Sequence, residues 1–172
     1  MAIEPFLQPW SGLPYRHIPA DSPYGVLDFR FAGLGTTNRW NVPGERTLYL
    51  AGDRAVAIAE FARHVRDDYG QFARVLPEHL LFRLEVAIDL TLDLRDAALV
   101  RQLSLHNAPT AFLDKLVARA VAGFLRATTP AQAILVPSVA FPDDPRRFLV
   151  VCFLEKLPAD LAQWISSAQA EG

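Results

Sequence analysis

Leu80, Phe82, Leu84, Val86 and Ile88 alternate with Arg83, Glu85 and Asp89. A strand sends successive side chains to opposite faces, so this stretch must lie in a sheet with one face on a core. Leu90, Leu92 and Leu94 extend it or begin a second strand. Phe148 to Leu154 is a continuous apolar run, the pattern of a strand covered on both faces. Tyr15 to Ile18, Thr47 to Leu50 and Ala133 to Val136 are shorter strand candidates, the first closed by Pro19 and the last by Pro137-Ser138.

Helical spacing fills the gaps between these strands. Asp53 is a plausible N-cap for a helix running to about Asp68, where Gly70 ends it. Ile58, Phe61, Ala62 and Val65 have the spacing of its buried stripe. A short helix is expected near Asp96 to Leu103, and a longer one from Thr110 to about Ala127. The longer one is expected to bury Leu113, Leu116, Val117, Val121, Phe124 and Leu125, with Gly123 marking close packing. A last helix is expected over Asp160 to Ala168, with Leu161, Trp164 and Ile165 on one side. Residues 1–14 are rich in proline and aromatics and read as an N-terminal arm packed on the domain. Asp21 to Gly35 reads as a loop in which Val26 to Phe31 pair briefly. Pro142 to Pro145 is a turn between strands. The mixed order predicts one α+β domain over residues 1–172, a mixed central sheet flanked by helices.

Composition narrows the function. The 17 basic and 19 acidic residues leave a net charge of −2, and Lys115 and Lys156 are the only lysines. That charge offers no footprint for direct nucleic-acid binding. No apolar run is long enough for a membrane span, and no basic-then-apolar leader opens the chain, so a cytoplasmic location is expected. Cys152, the single cysteine, excludes an internal disulfide and sits in an apolar run where a thiol is inert.

The densest polar and aromatic cluster lies in Gly35-Thr36-Thr37-Asn38-Arg39-Trp40-Asn41-Val42-Pro43-Gly44, followed by Leu48-Tyr49-Leu50-Ala51 and Ala57-Ile58-Ala59-Glu60. A loop feeding a strand and a helix brings such groups together on a rigid frame, and this stretch reads as the floor of a ligand site. Gly33-Leu34-Gly35 lacks the third glycine and the helix of a dinucleotide fingerprint, so turn chemistry explains it better. Glu60 and His64 share a helix face, but no third ligand accompanies them, and no metal is expected. By spacing alone Glu60 lies on a solvated face with Arg63, His64 and Asp67, nearly opposite Ile58. Ser138 lacks a nucleophile elbow, and the four histidines (His17, His64, His79, His106) give no triad order. Arg16 and Arg39 sit beside Tyr15 and Trp40, a setting that suits a stacked guanidinium gripping phosphate or, for Arg39 equally, backbone carbonyls.

In order and spacing, Tyr15-Arg16, Arg39-Trp40-Asn41-x-x-Gly44, Leu48-Tyr49-Leu50-Ala51, Ala57-Ile58-Ala59-Glu60 and Val136-Pro137-Ser138 resemble the RES domain, named for an Arg, a Glu and a Ser. The resemblance runs from about residue 15 to 154, with Thr37-Asn38 where the family carries Gly-Gly. RES proteins are the toxin halves of Xre/RES toxin–antitoxin modules. The resemblance implies a fold similar to ADP-ribosyltransferase toxins, cleavage of NAD at the nicotinamide–ribose bond, and a helix-turn-helix antitoxin of Xre type as partner. It implies Arg16, Glu60 and Ser138 as catalytic residues. Arg16 or Arg39 would meet the pyrophosphate, Tyr49 would stack on nicotinamide and Ser138 would orient ribose or nicotinamide. NAD is then substrate and no separate cofactor is needed. The acceptor is open between water, phosphate and a protein side chain. A member that binds a nucleotide or a partner without turnover is the alternative.

Overall fold

The computed structural model describes residues 2–70 and 78–171. Seven strands build its sheet: β1 (Gln8–Gly12), β2 (Tyr15–Pro19), β3 (Thr47–Ala51), β4 (His79–Asp93), β5 (Ala133–Pro137), β6 (Phe148–Phe153) and β7 (Ile165–Glu171). Among the described residues the α-helices are α1 (Arg54–Tyr69), α2 (Ala97–Gln102) and α3 (Lys115–Thr128). The order and the mixed sheet bear out the α+β class.

The sheet closes on itself. The start of β4 pairs with β2, whose Tyr15 also meets Ala51 of β3. Strand β3 pairs with β6 and β6 with β5, and β5 returns to β4 in parallel, with Thr91 to Asp93 opposite Ala133 to Leu135. Strands β1 and β7 flank β4 outside this circuit.

The alternation that predicted β4 holds from Phe82 through Ile88 and then changes face; Leu80, expected inward, is exposed, and Leu81 is buried instead beside Ala51, Val56 and Ala57. Gln8 lies opposite Thr91 and Trp10 opposite Ile88, so two residues of β4, Asp89 and Leu90, face the single Pro9 of β1. Such a bulge turns the following side chains over. Leu84, Val86 and Ile88 join one core cluster with Leu48, Leu50, Val150 and Cys152. Leu92 and Leu94 join the other, with Trp40, Phe112, Leu125 and Phe153. One continuous strand thereby supplies both cores.

Several local expectations are corrected. Residues 8–12 are a strand rather than a packed arm, and Pro14 O accepts the Leu84 N–H at 2.8 Å, so β1 and β2 follow one edge of β4 nearly end to end. Val26 to Phe31 make turns instead of pairing briefly. The helix expected from Thr110 is split: Thr110–Leu113 is a 3₁₀ turn, and Asp114 caps α3 by accepting the Leu116 N–H at 2.8 Å. Two apolar stripes run along α3, and the sheet takes the smaller one, Ala118, Ala122 and Leu125. Leu116 is 75% exposed, Leu113 and Phe124 are exposed as well, and a Cβ at Gly123 would meet open space. In α1 the buried face is Val56, Ala57 and Val65, while Ile58 points outward.

The last helix is also overturned, because residues 165–171 form β7 against Leu81 to Val86. That edge of β4 presents backbone donors and acceptors that need partners, and this demand overrides the helical spacing. Only Leu161–Gln163 turns, as a 3₁₀ segment capped by Asp160, and the Trp164 indole fixes the corner by donating to Pro158 O at 3.2 Å.

The choice of face on α3 predicts the outcome of two substitutions. Leu125→Ala should lower the unfolding free energy by about 2–5 kcal/mol, the cost of a core cavity. Leu116→Ala should change it by less than about 0.5 kcal/mol. Urea titrations of both variants check the assignment.

Candidate active site

A cleft of about 480 Å³ opens where α1, β2, β3 and the loop 31–40 converge. Arg16, Arg39, Tyr49 and Glu60 all line it, and its wall includes Pro137 and Val139, the neighbours of Ser138. The five positions singled out in the sequence therefore meet in one place.

Glu60 reaches the cleft because α1 packs through Val56, Ala57 and Val65. Once Ile58 faces water, the residue nearly opposite it must face the protein, and the Glu60 side chain is only 12% exposed. The solvated face expected from spacing is thus corrected. Ser138, 1% exposed, donates its hydroxyl to Glu60 Oε1 at 2.6 Å. The Ala140 N–H adds bonds to Ser138 Oγ at 3.2 Å and to Glu60 Oε1 at 3.4 Å. Glu60 Oε2 takes Arg63 Nε at 3.0 Å and Nη2 at 2.9 Å, and Arg63 Nη1 reaches Asp67 at 2.7 Å. Both carboxylate oxygens are held, one from the β5–β6 connection and one from the next turn of α1. A fixed carboxylate of this kind can meet a positive charge developing in the cleft without reorganising.

The two candidate arginines bond inward. Arg16 donates to Val26 O and, at 3.3 Å, to Asp28 O, and its guanidinium lies 4.8 Å from the Phe29 ring centroid. Burial lowers its pKa to about 10, and Asp28 partly offsets that. Arg39 donates to Phe112 O at 2.9 Å and Leu113 O at 2.7 Å. Its pKa is lowered first by burial and then by the like charge of Arg63. The carbonyl-binding arginine foreseen as an alternative for Arg39 is what the structure contains.

Tyr49 is similarly tied. Its hydroxyl donates to Asn41 Oδ1 at 2.8 Å and accepts the Trp40 N–H at 3.0 Å. Burial raises its pKa. Asn41 in turn donates to Gly33 O at 3.0 Å and Val42 O at 2.8 Å, which knots the loop under the cleft. Arg119 of α3 holds the other side of the loop, donating to Thr36 O at 2.7 Å and to Asn38 O at 2.6 and 3.0 Å. That grip fixes the shape of the segment carrying Thr37-Asn38.

Sequence reasoning missed other members of the site. His17 and His79 line the cleft although they lie far apart in the chain, and His64, already placed on the Glu60 face, joins them. The pairing of Pro19 with His79 brings β2 and β4 together, and His17 stacks on Phe61 at 5.0 Å between centroids, with His79 at 3.9 Å on the same ring. Only the β2–β4 register reveals this, and spacing holds no trace of it. Arg63 was legible as the i+3 neighbour of Glu60. Among the described residues no three His, Cys, Asp or Glu side chains gather as a metal-holding group. Cys152 lies apart, fully buried, and desolvation pushes its thiol up to about 12.

A family model described as the RES domain matches residues 13–168. No curated protein matches the chain. The fold is similar to one in the crystal structure of the M. tuberculosis MbcT-MbcA toxin-antitoxin complex, with a TM-score of 0.66 and 18% identity over 96% of this chain and 86% of that one.

Two measurements check this geometry. Burial lowers the His17 pKa from 6.5, so the unfolded chain takes up the proton first as pH falls. The contribution of His17 is therefore full above about pH 6.5 and is lost as pH falls below it. His17→Phe should flatten the acid side of a melting-temperature profile. Iodoacetamide at pH 8 should leave Cys152 of the native protein unlabelled and modify it only after unfolding.

Proposed function

The chain belongs to the RES domain family, and on that premise we propose that it is the toxin of a toxin–antitoxin module and breaks the nicotinamide–ribose bond of NAD. The observation that carries the reading is the Glu60 carboxylate, held from both sides by Ser138 and Arg63 in a cleft lined with cationic side chains. The similar M. tuberculosis structure is of a toxin-antitoxin complex, which supports the module.

The chemistry suits these residues. The bond breaks with its electron pair going to the departing nicotinamide, and positive charge builds on the ribose carbon and ring oxygen. The acceptor (water, phosphate or a protein side chain) bonds that carbon through a lone pair and gives up its proton. Glu60 meets that charge, as a carboxylate does in glycoside cleavage. Ser138 and Arg63 fix the carboxylate, so the geometry is set before substrate arrives. Arg16 and Arg39, bonded to neutral carbonyls, give the cleft the positive field that a pyrophosphate needs. Because Arg16 bonds the carbonyls of Val26 and Asp28, it acts on NAD by anchoring a wall of the site as well as by its charge. Tyr49 offers its ring from a fixed position, its hydroxyl being bound beneath the loop. NAD is the substrate, and the reaction calls for no further cofactor. The partner that restrains such an enzyme would be a helix-turn-helix antitoxin covering the cleft, and the site of action the cytoplasm.

Incubation of the purified protein with NAD, with and without phosphate, tests the reading by chromatography of the products. NAD should disappear with release of nicotinamide, and Glu60→Gln should slow this by about 10²-fold or more. Wild-type turnover in well-folded Glu60→Gln would overturn the role. Arg16→Ala should raise the Michaelis constant and also lower thermal stability, since it frees the 26–29 segment. The antitoxin's affinity for Glu60→Gln protein should fall as NAD rises, and an affinity indifferent to NAD would exclude occlusion of the cleft.

A further inference from the structure

Phe31 also lines the cleft, yet the residue is 55% exposed. It is no loose side chain on a loose loop. Two residues on, Gly33 has a φ of +89°, and a Cβ there would come within 2.0 Å of Glu45 O, so the backbone has one way to pass. Gly33 O is held by Asn41 at 3.0 Å and by the Gly44 N–H at 3.2 Å. On the other side, Arg16 grips the carbonyls of Val26 and Asp28. The Phe31 ring is backed by Tyr24, 5.1 Å away between centroids. Arg30 lies 4.8 Å from the Tyr24 ring centroid while paired with Asp28 at 2.8 Å. An aromatic face is thus held open at the edge of a polar cleft.

We infer that Phe31, backed by Tyr24, is the platform on which the purine ring of the substrate stacks. The inference rests on the cleft being a dinucleotide site. Such a ligand has a base at each end, and the base that leaves must lie near Glu60. The second base needs a planar apolar surface elsewhere in the same cleft, and aromatic faces serve any base in this way. Among the described residues, Phe31 is the exposed aromatic of the cleft wall.

The test compares NAD with nicotinamide mononucleotide, which keeps the scissile bond and lacks the purine. Phe31→Ala should raise the Michaelis constant for NAD about tenfold with little change in kcat. The preference for NAD over the mononucleotide, as a ratio of kcat/KM values, should collapse by the same factor. Phe31→Trp should restore it. A preference that survives Phe31→Ala, or equal losses for both nucleotides, would overturn the platform. The first of these results would leave the exposed ring to a protein partner. If the wild-type protein turned over neither nucleotide, the NAD-cleaving reading would fail, and calorimetry with AMP would decide the platform alone. AMP binding at least tenfold weaker in Phe31→Ala than in wild type supports it. Equal binding, or none in wild type, overturns it.

Discussion

Everything in this fold depends on β4 serving two cores at once. It pairs with β2 at its start and with β5 at its end, and the bulge opposite β1 lets it change faces between them. Without that turn, Leu92 and Leu94 would point into the core that Leu84, Val86 and Ile88 already fill. The cleft lies beside this closed circuit of strands, between α1 and the loop 31–40. The position of Glu60 follows from the same constraint. Helix α1 buries Val56 and Ala57 against Ala51 and Leu81 of the sheet, and that orientation presents Glu60 to Ser138.

The parts of the fold legible in the sequence were those dictated by local alternation and caps. Asp53 accepts the Val56 N–H at 2.9 Å and Gly70 ends α1 with a φ of +56°, as expected. Thr47 to Leu50, Ala133 to Val136 and Phe148 to Leu154 all became strands within a residue of their expected limits. What failed was decided by distant partners. Ile165 to Glu171 carry a helical spacing, but an unpaired edge of β4 claims them. In α3 two apolar stripes compete, and the choice depends on how closely the sheet must approach, which favours the alanines.

The site was legible by residue type and less so by contact. Arg16, Glu60 and Ser138 stood out, and the structure brings the latter two into direct hydrogen bonding. Foreseen for Arg39 alone, and as one of two readings, was the use of arginines as internal clamps on carbonyls: Arg16 on the 26–28 turn, Arg39 on the 112–113 turn and Arg119 on the 36–38 loop. Guanidinium forks suit this work, since each offers several donors in one plane. A sequence shows such an arginine but not whether a carbonyl or a phosphate awaits it.

The Arg119 clamp has a bearing on how this loop tolerates change. It grips the main-chain oxygens of Thr36 and Asn38, atoms that every amino acid supplies. The hold is therefore blind to the side chains at 37 and 38, and Thr37 and Asn38 can be exchanged without releasing the loop. Variation there is buffered at a distance, by a residue some eighty positions away whose own replacement the loop would feel at once.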